Sequence, residues 1–151
     1  MSVTLAEICD AVEDTLAAAI TVIRSESYDE LTEGVHAADV PLLQVYPEAG
    51  LQDAGGRTDR YTFQAGARQT EFTLHADYFA RQRSHIGLDM KALVNGIDAL
   101  QNVLEAQDKK PYFGLDGIRA FSWTWSRVVF AYGDPQLAYM GARFVLLVRV
   151  F

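Results

Sequence analysis

With 151 residues the chain is the size of one ordinary domain, large enough to bury about two-thirds of the surface its unfolded form exposes. Half of its residues are hydrophobic and 22% are charged, a globular balance that excludes a disordered or low-complexity segment. Thirteen basic residues against 20 acidic ones leave a net charge of −7, which disfavours attraction to nucleic-acid phosphate or to an anionic membrane and argues against a sequence-reading DNA binder.

Thr4, followed three residues later by Glu7, is a capping-box pattern, and Leu5, Ile8, Val12, Leu16, Ala19, Ile20 and Ile23 then recur at three- and four-residue spacing. The spacing predicts an amphipathic helix over residues 4–24. Cys9, the one cysteine, lies on its apolar stripe, where a free thiol acts as a small hydrophobe and has no partner for an intramolecular disulfide. After a polar, acidic stretch, Val40-Pro41-Leu42-Leu43-Gln44-Val45-Tyr46 reads as a first strand, ended by Pro47. Residues 48–68 set Gly50, Gly55, Gly56 and Gly66 among Asp53, Arg57, Asp59 and Arg60, which predicts a long, polar, projecting loop or hairpin. Loops of that length in a compact domain are generally functional or disordered. Glu48, Gly50, Asp53, Gly55, Gly56, Arg57 and Arg60 are therefore the candidate partner-contact loop.

Over residues 69–81 the alternation is clean, with Phe72, Leu74, Ala76 and Tyr78 on one face and Glu71, Thr73, His75 and Asp77 on the other. A second helix is predicted over residues 89–107, capped by Asp89 and burying Leu93, Ile97, Leu100 and Leu104, with Lys109 and Lys110 suited to its C-terminus. The remainder reads as a hairpin. Residues 118–132 are rich in aromatic and β-branched side chains, Gly133-Asp134-Pro135 supplies turn chemistry, and residues 137–151 return with Met140, Ala142, Phe144, Leu146, Val148 and Val150 on one face, opposite Arg143 and Arg149. The element order predicts a single α+β domain spanning residues 1–151, a mostly antiparallel sheet covered by two helices.

Few residues suggest chemistry. His75 and Asp77, with Glu71 nearby, share one strand face and could serve as metal ligands or a base pair, although any solvated strand face reads polar at alternate positions. His36 and His85 have no Cys or His at ligand spacing, and there is no nucleophile elbow and no glycine-rich phosphate loop between strand and helix. No catalytic residue, metal or cofactor is expected. No apolar run approaches the roughly 18 residues that span a bilayer, and no cationic start precedes an apolar run, so the expected setting is reducing and cytoplasmic, without a membrane partner. Phe121, Trp123, Trp125 and Arg127 share one face of their strand, a load that suits either packing under a helix or a subunit interface.

The N-terminal helix, the Pro-bounded strand, the glycine-rich loop, the strand ending Asp77-Tyr78-Phe79-Ala80-Arg81-Gln82-Arg83, the second helix and a hairpin closing Tyr139-Met140-Gly141-Ala142-Arg143-Phe144 together form a pattern. From Leu5 to Val150 the chain resembles the tail-terminator and neck proteins of long-tailed bacteriophages. The resemblance implies a non-catalytic virion protein: a hexameric ring at the phage neck that caps the tail tube, ends its polymerisation and docks the head connector or stopper protein. Double-stranded DNA would pass through the lumen unread, repelled by the summed acidic charge of the ring. The resemblance also makes Arg81, Arg83, Arg119 and Arg127 candidates for pairing between subunits, beside Trp123 and Trp125, which their shared strand face already marks as interface candidates. Two alternatives stand beside it: another neck, connector or tail-tube protein, and a small metal- or ligand-binding enzyme using His75 and Asp77.

Overall fold

The computed structural model describes residues 3–32, 34–52, 70–132 and 137–150. Helix α1, Leu5–Ala17, begins as the sequence requires: the Thr4 hydroxyl accepts from the Glu7 amide at 3.2 Å, and the Glu7 carboxylate accepts from the Thr4 amide at 3.3 Å. It buries Ile8, Cys9, Val12 and Leu16. The predicted helix to residue 24 is too long. After Ala18 and Ala19 the β-branched stretch Thr21-Val22-Ile23 leaves the helix, and Arg24–Glu26 forms a short strand, β1. Ile20 and Val22 still pack against the core, so the apolar periodicity outlasts the helix that it suggested.

Strand β2, Leu42–Gln52, also differs from expectation, because it runs through Pro47 instead of stopping there. β1 pairs with β2 only from Leu42 to Gln44, so among the described residues no strand lies on that side of β2 at Pro47 and the missing N–H deprives no described ladder. A bulge at Glu48 absorbs the irregularity, and Ala49 to Gln52 resume pairing with β3, Thr70–Gln82. Glu48 and Gly50, assigned to the projecting loop, are thus strand residues. Asp53, Gly55, Gly56, Arg57 and Arg60 lie outside the described residues.

Helix α2, Ile86–Glu105, starts one turn before its predicted first residue and ends before Gln107. His85 is its N-cap but makes no capping bond; the cap comes from Asp89, whose carboxylate accepts from the Ser84 and His85 amides at 2.9 and 3.1 Å. Strands β4, Ile118–Tyr132, and β5, Leu137–Val150, form the expected antiparallel pair, while residues 133–136 lie outside the described set. The strands make one five-stranded sheet in the order β1-β2-β3-β5-β4, antiparallel except for β1 with β2, so the fold is α+β.

Both helices lie on one face, α1 over β2 and α2 over β3 and β5. There Leu43, Val45, Leu74, Ala76, Phe144 and Leu146 meet the helix stripes in the main core. Ile118 joins this core, and not the opposite face with Val128, Phe130 and Tyr132, because a bulge between Ile118 and Ala120 reverses the alternation. Cys9 is buried and free, its thiol pushed up to about 11 by burial and then by Asp10, so it stays protonated. On the far face a smaller cluster, Val35, Leu42, Phe79, Phe130 and Tyr139, closes one end of the sheet; Phe79 stacks on Phe130 at 4.2 Å and the Tyr139 hydroxyl donates to the Val35 carbonyl at 2.8 Å.

Two substitutions test this packing by thermal or denaturant unfolding. Phe144→Ala empties a fully buried position and should cost about 3–5 kcal/mol. Gly141→Ala should cost about 1–3 kcal/mol, because a Cβ there meets the Tyr78 carbonyl oxygen and the Phe130 ring. A neutral result for either would mean that the faces of β5 are assigned the wrong way round.

Candidate functional site

Away from the small cluster, no helix among the described residues lies over the far face of the sheet, and the polar row read from the sequence lies there. Cross-strand register sets Gln44, Asp77, Arg143 and Ser126 in one line and Tyr46, His75 and Val145 in the next. The Arg143 guanidinium donates to both Asp77 oxygens, Nε to Oδ1 at 2.8 Å and Nη2 to Oδ2 at 3.1 Å, while the Tyr46 hydroxyl donates to Asp77 Oδ2 at 2.6 Å and accepts from Arg143 Nη2 at 3.2 Å. Asp77 is buried, and its carboxylate oxygens are satisfied by three hydrogen bonds. Burial, and then the Asp77 carboxylate, push the Tyr46 phenol well above its usual value; the bond to Asp77 holds the Arg143 guanidinium firmly protonated. Through these hydrogen bonds the network locks the register of β2, β3 and β5.

The remaining members of that row are separated. Glu71 pairs with Arg149 at 2.9 Å. His75 sits edge-on to Tyr46 with ring centroids 5.5 Å apart, and its Nδ1 is buried without a hydrogen bond, 3.8 Å from Glu48. Among the described residues no three His, Cys, Asp or Glu side chains come together in a way that could hold a metal ion. The candidate trio Glu71, His75 and Asp77 therefore does not converge on one point.

The more distinctive surface is the β4 flank. α2 lies over β3 and β5, so the aromatic row of β4 is covered only in its first half. Phe121 packs on Tyr112 and Phe113, and Trp123 lies 6.2 Å from Phe144. Trp125 and Val129 are 42% and 47% exposed, and Arg127 between them is exposed as well. Arg119, at the bulge, is exposed too. A recess of about 430 Å³ opens beside the first half of the strand, its walls including Leu104, Gln107, Asp108, Tyr112, Phe121 and Trp123. Among the described residues β4 pairs with β5 alone and is the last strand in the sheet order, so the outward backbone groups of this 15-residue strand face away from the described sheet.

Arg81 and Arg83, also candidates for the interface, turn towards their own chain. Nε of Arg81 lies 3.1 Å from Asp89 Oδ1, a close ion pair without hydrogen-bond alignment, and Nε of Arg83 lies 3.8 Å from Oδ2. Asp89 is fully buried, so these arginines neutralise a charge that already caps α2. A sequence signal for this existed: two arginines six and eight residues before an aspartate on the apolar side of a helix.

The opposite flank of the sheet, built by α1, β1 and the residues after it, was not singled out by the sequence. Asp10, Asp14, Asp29 and Glu30 are exposed there, and Ile23, Tyr28 and Leu31 expose apolar surface among them. The Ser27 hydroxyl donates to Asp10 at 2.7 Å and that of Ser25 to the buried Glu13 at 2.9 Å, tying α1 to β1. Burial raises the pKa of Glu13, with Asp14 and Glu30 adding to it against the Ser25 hydrogen bond. Desolvation, then Asp29 and Asp10, raise that of Tyr28, so the carboxylates lie close enough to act on one another's neighbours. Arg24, the cation of this flank, pairs with Glu26 at 2.9 Å and Asp39 at 3.1 Å.

No model of a known protein family matches the chain, and no curated protein matches it. No helix among the described residues is long and apolar enough to cross a membrane.

The two ion pairs on the far face should separate cleanly in unfolding experiments. Asp77→Ala strands Arg143 and Tyr46 and should cost about 2–4 kcal/mol, whereas Glu71→Ala removes an exposed pair and should cost less than about 1 kcal/mol. Equal costs would contradict the structural role of the Asp77 network.

Proposed function

We propose that the protein is a structural, non-catalytic subunit of a ring at the neck of a long-tailed bacteriophage, a tail terminator that caps the tail tube, ends its polymerisation and joins it to the head connector. The observation that carries this reading is the β4 flank: a 15-residue edge strand whose outer half exposes Trp125, Arg127 and Val129 and contains no proline or carboxylate. Proteins that stay alone blunt such edges with inward charges, prolines or covering elements, because an open edge templates the next chain. Here the flank is suited to association, and a contact between two different surfaces closes into a ring whenever its rotation divides the circle.

Charge supports the same reading. A ring multiplies the −7 of each copy, and a lumen of that sign repels DNA phosphate and lets a duplex slide through without binding. The polar groups of the far face favour this role over catalysis, since Asp77 and Glu71 are each taken by an arginine of β5. On this reading the protein resides in the virion, and its partners are copies of itself, the tail-tube protein and the connector.

Native mass spectrometry with negative-stain imaging of the purified protein at high concentration tests the proposal. A closed ring with a central hole is expected, and adding it to growing tail tubes should arrest their elongation. Open-ended cylinders would identify a tube subunit instead, and a protein that stays monomeric at high concentration and leaves tube length unchanged would contradict the reading.

A further inference from the structure

The two flanks of the sheet are complementary, and they lie at opposite ends of the strand order, four interstrand steps or about 19 Å apart. One copy therefore cannot bring them together. The β4 flank offers exposed apolar side chains, Trp125 and Val129, around the cation Arg127, and from Ile118 to Tyr132 it has no carboxylate. The α1–β1 flank offers exposed Ile23, Tyr28 and Leu31 around Asp10, Asp14, Asp29 and Glu30, while its cation, Arg24, is engaged by Glu26 and Asp39.

We infer that copies of this chain join head to tail, the β4 flank of one seated on the acidic α1–β1 flank of the next. This rests on the ring reading above and adds which surfaces meet. A symmetric contact of β4 with β4 would gather the cations of both copies in one interface and leave both acidic flanks uncovered. The head-to-tail contact instead sets unlike charges against each other and covers apolar surface on both sides. Because each copy uses two different surfaces, an open series always keeps one free flank of each kind, one at each end, until the ring closes. The apolar side chains supply the buried area, and the charges select the orientation and speed the encounter.

Charge reversal on either flank tests the pairing, read by sedimentation velocity at low salt, with circular dichroism to verify that each variant is folded. Arg127→Glu alone, and Asp29→Arg combined with Glu30→Arg alone, should each raise the concentration needed for association by about tenfold or more. An equimolar mixture of the two should assemble at close to the wild-type concentration, because an alternating ring of the two variants places opposite charges at every contact. The milder Arg127→Ser should fall between Arg127→Glu and the wild type, and added salt should weaken wild-type association.

If the Asp29/Glu30 variant assembles alone like the wild type, the acidic flank is not in the interface and the inference falls. The same holds if the mixture stays as dissociated as its components. Wild-type rings together with variants that assemble unchanged would overturn this pairing and leave the ring reading intact. A wild type that neither self-associates nor stops tube growth would overturn both.

Discussion

The position of β5 governs the rest of the structure. The last strand among the described residues inserts between β3 and β4, pairs with β4 from Leu137 to Val150 and with β3 from Tyr139 to Val150, and gives its Met140, Ala142, Phe144, Leu146 and Val148 side chains to the core beneath the helices. That insertion carries β4 outward to the edge of the sheet, although β4 holds both tryptophans of the chain. It also leaves α2 over β3 and β5 and the far half of the β4 aromatic row without a lid. The exposed flank of β4 is a consequence of strand order, and strand order follows from an apolar face on β5 that a central position buries.

The opposite face of β5 explains how the register is held. Arg143 and Arg149 rise from it directly across from Asp77 and Glu71 of β3, so a slip by one residue would move the buried Asp77 carboxylate off its partner and carry the apolar row of β5 out of the core. Tyr46 brings β2 into the same network. An arrangement of this kind specifies structure: its acid is buried and satisfied, its phenol stays protonated, and its guanidinium stays charged. A row of polar residues on a strand face was therefore legible in the sequence, but its purpose required the facing strand.

Much of the fold could be read in advance because its elements obey their periods over long stretches. The alternation of β3 and β5, the stripe of α2 and the capping box of α1 all specify the elements observed, the last with both of its hydrogen bonds. The departures occur where a local signal is overridden by its neighbours. Ile20 and Val22 pack on the core and so extend a helical pattern beyond the helix; Pro47 is tolerated because β1 is too short to need its N–H; the bulge after Ile118 inverts one strand end. Trp123 and Trp125 were legible as one row that suited packing or assembly, and the structure divides it, Trp123 against Phe144 and Trp125 towards solvent. The acidic flank escaped notice because its residues come from α1 and from the chain after β1, separated in sequence and brought together in the fold, where the Ser25 and Ser27 hydrogen bonds tie them.

On the proposed reading, the outer side of β4 is the surface the subunit keeps open for its neighbours. Hydrogen–deuterium exchange across β4, followed from dilute protein to the concentration at which it associates, addresses this directly. The outward amides between Ser122 and Val129 should exchange quickly in the dilute protein and become protected on association, together with peptides from α1 and β1. Protection confined to other elements, or an edge already protected in the dilute protein, would contradict the claim.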